Sequence, residues 1–574
     1  MTAGRLDRAA AIGRLRNEQF DVLVIGAGAT GAGVALDAAA RGLRTALVDG
    51  HDIAYGTSSK SSKMIHGGIR YLQQGDVRLV WQALRERRHL LANAPQLVRP
   101  LGFMIPVYRH GGLIPRFMAR LFGIVLWAYD LVGGASVVGK HRRLSKDEAL
   151  ALMPSLVAPE VTGALLYFDA RTDDARLTLA VARTAADHGA AVVNYGRVVE
   201  LIKDDAGHAI GARVDTGDDS IDVAARCVVN AAGVWIDEIE AIDQGPGHEL
   251  MRPARGVHIV VPTTALQNED VAVILAVAKG TGTGSVFAVP WIDGGFTYVG
   301  TTDTDFSGPL EDPFITGDEV DVLLAHLNPS ITTPIESGDV VGSWAGLRPL
   351  LKGAPDAKTA DLSRHHRVTR WPSDVISIAG GKLTTYRAMA EDTVDEVVKV
   401  LGRGGKCTTK GLALHGAAGY DQVGDGGLGA EVRDRLVHRY GADAATVITL
   451  ATEDPALAQP LVPGLPYLRA EAVYAARDEM VVTLDDILAR RTRARLLARD
   501  ATAAAAEDVA ALVGPDLGWS EDEQRAQVER YRASVEAERH SFESTVTAAA
   551  AAAGREHAQG WVPGVKAWGA LRRR

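Results

Sequence analysis

Cysteine is scarce in this chain: only Cys227 and Cys407 occur among 574 residues, and neither lies in a Cys-x-x-Cys pair or beside a histidine cluster. Two thiols cannot build a disulfide framework in so long a chain, which indicates a reducing compartment such as the cytoplasm. Because no group of metal-ligand residues accompanies them, we predict no metal site.

An excess of basic residues is also missing, since 62 lysines and arginines stand against 71 acidic residues, for a formal net charge of −9. A general nucleic-acid binder needs a positively charged surface, so the balance argues against nucleic acid as a partner. The 47% hydrophobic content instead supports large packed cores, and the length allows roughly three or four domains.

Long uncharged apolar runs are absent as well, because none reaches the roughly 18 residues that a membrane-spanning helix needs. Residues 1–18 carry several arginines without an apolar core, so we expect a solvated N-terminal extension and no export signal. Residues 113–132 come closest to a membrane segment, with Arg116 and Arg120 on one helical face. That pattern is typical of an amphipathic helix at a membrane surface, and an ordinary core helix is the alternative.

What the chain does contain is a strand, a glycine turn and a helix in residues 20–42. Gly26 lets the chain turn, Gly28 lets the backbone approach a diphosphate, and Gly31 lets helix and strand pack closely. The helix start then presents free N–H groups and partial positive charge to the ligand. Asp49 ends the next strand, near the offset at which a carboxylate binds ribose, so the unit predicts an adenine dinucleotide site.

The glycine spacing alone would decide nothing, because with 61 glycines it arises by chance roughly 0.7 times in this chain. Residues 424–429 repeat the spacing, but they follow no apolar strand. We therefore interpret the second copy as a loop before a helix. The first copy has the complete strand, helix, second strand and acid.

Three further segments join hydroxyls, small residues or paired glycines to a strand or loop, and so predict ligand contacts. They are the loop 55–71, the strand 227–233 together with Trp235 just after it, and the strand-turn-helix 375–387. With the first motif, they give the predicted cofactor-binding residues Gly26, Gly28, Thr30, Gly31, Asp49, Thr57, Ser58, Ser59, Ser61, Ser62, Lys63, His66, Asn230, Ala231, Gly233, Trp235, Gly380, Gly381, Lys382, Leu383 and Thr384.

The remaining pattern predicts helices at 78–92, with its arginines solvated, and at 173–189, capped by acids. Short alternating strands between 257 and 304 predict an antiparallel sheet, which is a suitable wall for a substrate cavity. Beyond residue 406 the chain becomes rich in alanine, arginine and glutamate, which predicts a separate helical domain. Its expected helices cover 470–480, 485–496, 501–511 and 545–553, followed by a mobile tail at 571–574.

The chain combines five motifs: Gly26-x-Gly-x-x-Gly31, the run from Ser61 to Tyr71, Asp173-Asp-Ala-Arg176, Gly346-Leu-Arg-Pro-Leu350 and the run from Gly380 to Arg387. With the stretch 485–493, this set resembles the FAD-dependent glycerol-3-phosphate dehydrogenases over about residues 18–500. The resemblance implies an α/β fold with a glutathione-reductase-like, Rossmann-type FAD-binding domain, a substrate domain built on an antiparallel sheet, and a C-terminal all-helical domain. FAD segments are expected at 19–100, 160–245 and 340–405, the substrate sheet mainly at 246–340, and the helical domain at 406–574.

The resemblance also implies oxidation of glycerol 3-phosphate to dihydroxyacetone phosphate, with electrons passed from FAD to a membrane quinone. The enzyme is then expected to be cytoplasmic, to bind the inner face of the cell membrane peripherally, and to form a homodimer. By motif position, His66, Arg348 and Lys382 are the implied catalytic residues, while Arg70, Tyr71 and His258 are implied to bind substrate. Val257 and Asp49 depart from the family pattern, which expects a small hydroxyl residue and a glutamate there.

The residue chemistry agrees with an alcohol oxidation, because arginine and lysine suit a phosphate and a developing oxyanion. The base stays open: the ordinary pKa of His66 fits the role, and a neutral Lys382 or arginine-assisted proton loss are alternatives.

A glycerol-3-phosphate oxidase that uses O2 shares the core, but the insertion of the oxidases is missing between Leu350 and Gly380. An FAD oxidoreductase of another small polar substrate, a nicotinamide dehydrogenase and a non-enzymatic flavoprotein scaffold are further alternatives.

Overall fold

The computed structural model describes residues 5–68, 76–110, 112–114, 122–123, 125–127, 129, 139–248, 250–276, 285–352 and 365–544. Its first unit is a six-stranded sheet in the order β18-β19-β11-β1-β2-β7. All neighbouring pairs are parallel except β18 and β19. The strands are β1 (Val22–Ile25), β2 (Thr45–Val48), β7 (Ala191–Val193), β11 (Val228–Asn230), β18 (His366–Arg370) and β19 (Ile376–Gly380).

The described helices occur along the whole chain and confirm the expected helices at 78–92 and 173–189. They are α1 (Arg8–Asn17), α2 (Ala29–Ala40), α3 (Val77–Asn93), α4 (Lys146–Leu152), α5 (Asp174–Asp187), α6 (Ile236–Gln244), α7 (Thr263–Leu266), α8 (Gly317–Leu327), α9 (Tyr386–Leu401), α10 (Ala430–Tyr440), α11 (Ala444–Glu453), α12 (Arg469–Asp478), α13 (Ala494–Leu497), α14 (Arg499–Leu517) and α15 (Glu521–Phe542).

The motif helix α2 is buried along almost its whole length, because its small side chains let α5 and α9 pack against it. Asp173 caps α5 as predicted, since its carboxylate accepts hydrogen bonds from the N–H groups of Ala175 and Arg176. The other side of the sheet carries a three-stranded sheet, β8 (Arg197–Lys203), β9 (Ala209–Asp215) and β10 (Ser220–Ala224). The Rossmann-type α/β unit is confirmed.

A ten-stranded sheet forms the second unit, and it contains the antiparallel strands predicted between 257 and 304. Its order is β16-β12-β15-β14-β13-β4-β6-β3, with β17 paired to β12 and β5 to β6. The strands are β3 (Met64–Ile65), β4 (Arg99–Tyr108), β5 (Arg142–Leu144), β6 (Val161–Arg171), β12 (Ala254–Pro262), β13 (Val271–Ala276), β14 (Ser285–Pro290), β15 (Phe296–Gly300), β16 (Thr304–Asp305) and β17 (Gly342–Arg348).

The division of the chain between the two sheets differs from the predicted one. Residues of β6 and β17 fall inside segments that we assigned to FAD binding, yet both strands pair within the ten-stranded sheet. β4 also crosses the predicted boundary at residue 100. The two sheets are therefore built from interleaved segments, and the chain passes between them several times.

The N-terminal segment also differs from the expected solvated extension. Helix α1 packs against β7 and β10, and Ala11 and Leu15 are buried in the core beneath the six-stranded sheet. Its Asp7 cap accepts a hydrogen bond from the N–H of Ala10. The segment thus covers the edge of the cofactor-binding sheet.

From residue 430 onward the C-terminal part is helical as expected, with one local exception, whereas residues 406–429, which the prediction also places in the helical domain, contain only two short 3-10 turns. Residues predicted as one helix at 485–496 form a π-helix at Asp486–Arg491 and then the short α13. Arg493, with a positive φ of 69°, separates the two. The expected helix at 545–553 and the tail at 571–574 lie outside the described residues.

Within the described residues, no helix has the length and apolar character needed to cross a bilayer. Most of the predicted interfacial segment 113–132 lies outside the described residues. Of its described members, Ile114, Leu126 and Tyr129 are buried, whereas Trp127 is 60% exposed.

His415 links α5 to the C-terminal helices, because its ring nitrogens lie 2.8 Å from Asp187 and 2.8 Å from Asp443. Burial opposes protonation, but the two carboxylates raise the pKa of His415 above its ordinary value. A raised folded-state pKa stabilises the fold below the unfolded-state pKa, and the contribution disappears as the pH rises through the folded-state pKa.

We expect His415→Gln to lower the thermal unfolding midpoint at pH 6 and to approach wild type at pH 9. A deficit that grows with pH contradicts this assignment.

Candidate active site

One large cavity, about 610 Å³ in volume, lies between the six-stranded and ten-stranded sheets in the described part of the chain. The ends of β1, β2, β11 and β19 form one wall, and residues of β12, β14 and β17 form the other. This is the crevice at the carboxyl ends of parallel strands where open α/β sheets bind ligands. The second glycine motif lies in a loop before α10, away from the cavity lining, as predicted.

The turn between β1 and α2 has the geometry expected of a diphosphate cradle. Gly26 has φ 102°, and a Cβ on Gly31 would lie 1.8 Å from the Gly26 carbonyl oxygen, so only glycine fits there. The N–H of Ala29 donates to Ser58 Oγ at 2.9 Å, which ties the loop after β2 to the helix start. Gly28 and Thr30 line the cavity beside this turn.

Asp49 lies at the end of β2 and holds the turn from the other side. Its carboxylate accepts hydrogen bonds from the N–H groups of Ala27 at 2.6 Å and His51 at 2.8 Å. Burial raises the pKa of Asp49 to about 6. At neutral pH the carboxylate is therefore ionised, and it lines the cavity as an acceptor for hydroxyl donors.

Most of the predicted cofactor residues line this single cavity. They are Gly26, Gly28, Thr30, Asp49, Thr57, Ser58, Ser61, Ser62, His66, Ala231, Gly233, Trp235, Gly380, Gly381, Lys382, Leu383 and Thr384. Their source in four separated segments agrees with one elongated ligand shared between several loops. Thr57 also ties the loop to β17, since its hydroxyl donates to the Leu347 carbonyl at 2.6 Å.

Four predicted cofactor residues support the wall from behind and do not line it. Gly31 packs within the turn, and the Ser59 hydroxyl donates to the Tyr55 carbonyl at 3.3 Å. Asn230 Nδ2 donates to the Ile236 carbonyl at 3.1 Å. Lys63 is buried and paired with Asp174 at 3.1 Å, so its amine serves the protein interior and not the ligand.

The three predicted catalytic residues converge on the same cavity. Arg348 is oriented by four acceptors: Asp303 Oδ1 at 2.9 Å, the Thr302 carbonyl at 2.9 Å, Thr301 Oγ1 at 3.1 Å and the Arg255 carbonyl at 3.3 Å. Lys382 follows the paired glycines at the end of β19, and its amine is buried. Both cationic residues thus belong to the lining of this cavity, with the Lys382 amine buried in its wall.

His66 shares this end of the cavity and is a neutral imidazole. Burial, followed by the nearby charges of Lys382 and Arg87, lowers the pKa of His66 to about 3. Its backbone N–H donates to Thr384 Oγ1 at 3.2 Å, which joins the two predicted loops. The ring is therefore unprotonated at neutral pH, and it is a much weaker base than its ordinary pKa leads one to expect.

His258 is held in a box of aromatic rings. It stacks on Trp344 with a centroid distance of 4.6 Å, and its Nε2 lies 2.9 Å from Ser62 Oγ. Burial, Lys63 and Arg348 lower its pKa well below the ordinary value, so it too is neutral. A Cβ on Gly300 would lie 2.3 Å from the His258 ring, so glycine is required there. The other predicted substrate residues, Arg70 and Tyr71, lie outside the described residues.

Several lining residues were not predicted. His51 stacks on Tyr55 at 4.3 Å and approaches Trp235 at 5.4 Å, which gives the cavity an aromatic corner near Asp49. Thr301, Thr302 and Asp303 line the other end and orient Arg348. A usable signal was present for this last group, because a polar Thr-Thr-Asp run follows the strand β15 directly.

Part of the cavity is apolar. Ile274 of β13 lies opposite Phe287 of β14, and both line the cavity. The other members of this apolar wall are Ile105, Leu113, Ile114, Phe122 and Tyr167. Among the described residues, no three histidine, cysteine, aspartate or glutamate side chains are grouped so that they could hold a metal ion.

Comparison with known proteins agrees with this geometry. The chain matches the family model of FAD dependent oxidoreductases over residues 21–395, and the model of the C-terminal domain of alpha-glycerophosphate oxidase over residues 407–524. It is 42% identical over 547 residues to the glycerol-3-phosphate dehydrogenase of Mycobacterium leprae, covering 93% of this chain and 91% of that protein. Glycerol-3-phosphate dehydrogenase 2 of Mycobacterium tuberculosis is 41% identical over 546 residues, with the same 93% and 91% coverage.

Among solved structures, the glycerol-3-phosphate dehydrogenase from Bacillus halodurans complexed with FAD superimposes with a TM-score of 0.74 at 30% identity. The match covers 93% of this chain and 98% of that structure. The two sheets, the glycine cradle and the C-terminal helices thus lie within one matched body. The chain belongs to the FAD-dependent glycerol-3-phosphate dehydrogenase family.

Proposed function

We propose that this protein oxidises sn-glycerol 3-phosphate to dihydroxyacetone phosphate with FAD as its cofactor, and passes the electrons to a membrane quinone. The observation that carries the proposal is that Arg348 and Lys382 both line the cavity that also contains the dinucleotide cradle. Family membership supports the reaction, and the two cations support an anionic substrate.

FAD fits the residues that line the cavity. The turn at Gly26 and Gly28 would receive the diphosphate, because it offers N–H groups at a helix start, and the Asp49 carboxylate would accept hydrogen bonds from ribose hydroxyls. The loops containing Thr57–Ser62, Ala231–Trp235 and Gly380–Thr384 hold the remainder. Bound FAD supplies the acceptor for the hydride that leaves C2 of the substrate.

The substrate end of the cavity contains positively charged side chains. Arg348 donates from both Nη atoms to four protein acceptors, which fix its orientation before substrate arrives, so it supplies oriented positive charge and not a free bidentate fork. Lys382 supplies a second positive charge, and the resemblance assigns Arg70 and Tyr71 to the phosphate. Oxidation removes a proton from the C2 hydroxyl as well as the hydride. We assign that proton to His66, whose neutral ring lies beside Lys382, and the cations stabilise the oxygen from which it leaves. Because a pKa of about 3 makes the ring a weak base, this assignment requires the anionic substrate to raise the pKa of His66 on binding.

Anaerobic flavin reduction tests the function and the site together. Glycerol 3-phosphate is expected to bleach the bound flavin, whereas glycerol is not, because it lacks the phosphate. Arg348→Ala or Lys382→Ala is expected to keep FAD bound but to slow the reduction by about 100- to 1,000-fold, since each removes a preorganised positive charge. Arg213→Ala, on the exposed three-stranded sheet, is the matched control. No bleaching of wild type contradicts the function, and normal reduction in both variants contradicts the site.

The apolar wall supports a quinone as the electron acceptor, because a polyol phosphate needs no such surface while a quinone ring does. We expect the reduced enzyme to be reoxidised faster by a short-chain quinone than by O2. Phe287→Glu is expected to slow reoxidation by quinone more than reoxidation by water-soluble ferricyanide. The match of residues 407–524 to an oxidase domain favours O2 as the alternative acceptor. Stoichiometric hydrogen peroxide without quinone is the outcome that supports the oxidase.

A peripheral position on the inner face of the cell membrane is part of the proposal, as is a homodimer, and both follow from the resemblance. The exposed face of α3 supports the membrane contact. Val77 and Trp81 are 63% and 48% exposed, and Arg78, Arg85 and Arg88 are exposed beside them. Aromatic and basic residues on one helical face suit an anionic lipid surface.

Sedimentation with vesicles containing phosphatidylglycerol tests this surface. Trp81→Ser is expected to reduce the bound fraction, and each of Arg78→Ser and Arg85→Ser to weaken binding about fivefold, because each removes about 1 kcal/mol of attraction to the anionic surface. Val322→Ser is the control, since Val322 is also exposed but lies on α8. Equal binding of all variants contradicts the assignment.

A further inference from the structure

Arg493 is a buried arginine of the C-terminal helical domain that lies against the cavity loop of the cofactor domain. Its side chain is 1% exposed, and its backbone has the left-handed φ of 69° that ends the π-helix. Its guanidinium donates to the Ser59 carbonyl at 2.8 Å and pairs with Asp174, and its Nε lies 3.3 Å from Asp173. The residue therefore reaches across the domain boundary.

Asp174 is the carboxylate on which these contacts converge. It accepts the N–H and the hydroxyl of Ser61 at 2.9 and 2.7 Å, and Lys63 Nζ at 3.1 Å. It also accepts the N–H of Ala175 and pairs with Arg493, and its side chain is fully buried. A buried carboxylate with this many donors fixes every group that it binds.

The loop Ser61–Lys63 connects these buried contacts to the cavity. Ser61 and Ser62 line the cavity, and Ser62 Oγ lies 2.9 Å from His258 Nε2. The opposite side of the loop is held by Trp344 Nε1, which donates to the Ser61 carbonyl at 3.1 Å, and by the Tyr298 hydroxyl, which donates to the Ser62 carbonyl at 2.9 Å. Lys63 Nζ lies 4.4 Å above the Trp344 ring, which itself stacks on His258.

We propose that Arg493 is a positioning residue for the reaction: through Asp174 it holds the loop Ser61–Lys63, and through Ser62 it sets the hydrogen bond of His258. The C-terminal domain thereby completes the substrate end of the cavity, although Arg493 itself touches no reacting atom. This inference rests on the proposed function for its kinetic part and on the loop contacts alone for its structural part.

The physical reason is that removing Arg493 leaves the Ser59 carbonyl without that donor and Asp174 with one cation fewer. A buried carboxylate that loses a partner draws its remaining donors toward it or admits water. Either response shifts Ser61 and Lys63, and Ser62 lies between them. A purely stabilising arginine would instead lower the unfolding temperature and leave the loop and the reduction rate unchanged.

The test uses the full-length holoenzyme with Arg493→Met and, as matched control, Arg477→Met. Arg477 belongs to the same domain but forms an exposed pair with Asp516 at 2.9 Å. Hydrogen exchange of peptides covering residues 57–65 is expected to become about tenfold faster in Arg493→Met, because the loop amides lose their restraint. The control is expected to exchange like wild type. Unchanged exchange in this loop overturns the proposal, and this readout does not depend on the substrate.

Kinetic coupling gives the second readout. Arg493→Met and Ser62→Ala are each expected to slow anaerobic flavin reduction by glycerol 3-phosphate about 10- to 100-fold with FAD retained. If Arg493 acts through Ser62, the double variant is no slower than the slower single variant, within about twofold. Effects that multiply overturn the proposal. Failure of wild type to reduce its flavin with glycerol 3-phosphate refutes the proposed function instead.

Should Arg493→Met not fold, Arg493→Lys keeps a positive charge beside Asp174 but loses the guanidinium, whose Nη2 donates to both Ser59 and Asp174 while its Nη1 is held by the Ala489 carbonyl. It is expected to show faster exchange in residues 57–65 and slower reduction, each to a smaller degree than the Met variant. Wild-type values for both measurements in Arg493→Lys contradict the need for the guanidinium.

Discussion

Buried carboxylates, each shared between separate parts of the chain, are the interactions on which the rest of the structure depends. Asp52, after β2, pairs with both Arg490 and Arg491 of the π-helix. Glu479, after α12, pairs with Arg176 and Arg183 of α5. Removing one partner of such a pair costs about 3–5 kcal/mol, because a charge is left buried without compensation. The helical domain is therefore bound to the cofactor unit by charge as well as by apolar packing.

The parts of the site that the sequence predicts well are those whose signal lies within a few residues. The turn at Gly26, the acid at Asp49 and the Asp173 cap each depend on one strand-to-helix junction, and the structure has all three. The paired glycines after β19 are equally local. Such junctions restrict the backbone to few conformations, so residue type alone indicates what they do.

The parts that could not be predicted depend on partners far along the chain. Arg87 was expected to be solvated on α3, yet it is 1% exposed and paired with Asp169 on β6. The sequence predicts that Lys63 binds the cofactor, but its amine is paired with Asp174 in the protein interior. Likewise the residue patterns of β6 and β17 do not indicate which of the two sheets these strands join. A charge or a short strand has the same local pattern whether its partner is water, ligand or a residue hundreds of positions away.

The interleaved topology has a consequence for the order in which the protein can be assembled. The strand β1, at the centre of the cofactor sheet, pairs with β11, whose other edge is covered only by β19 at Ile376–Gly380. When only the first half of the chain has left the ribosome, this edge of β11 is still unpaired. The arginines that pair with Asp52 and Asp174 are synthesised later still. Domains otherwise fold as units during synthesis. Here the cavity lining includes Lys382 and Thr384, so the pocket is incomplete until about two thirds of the chain has been synthesised.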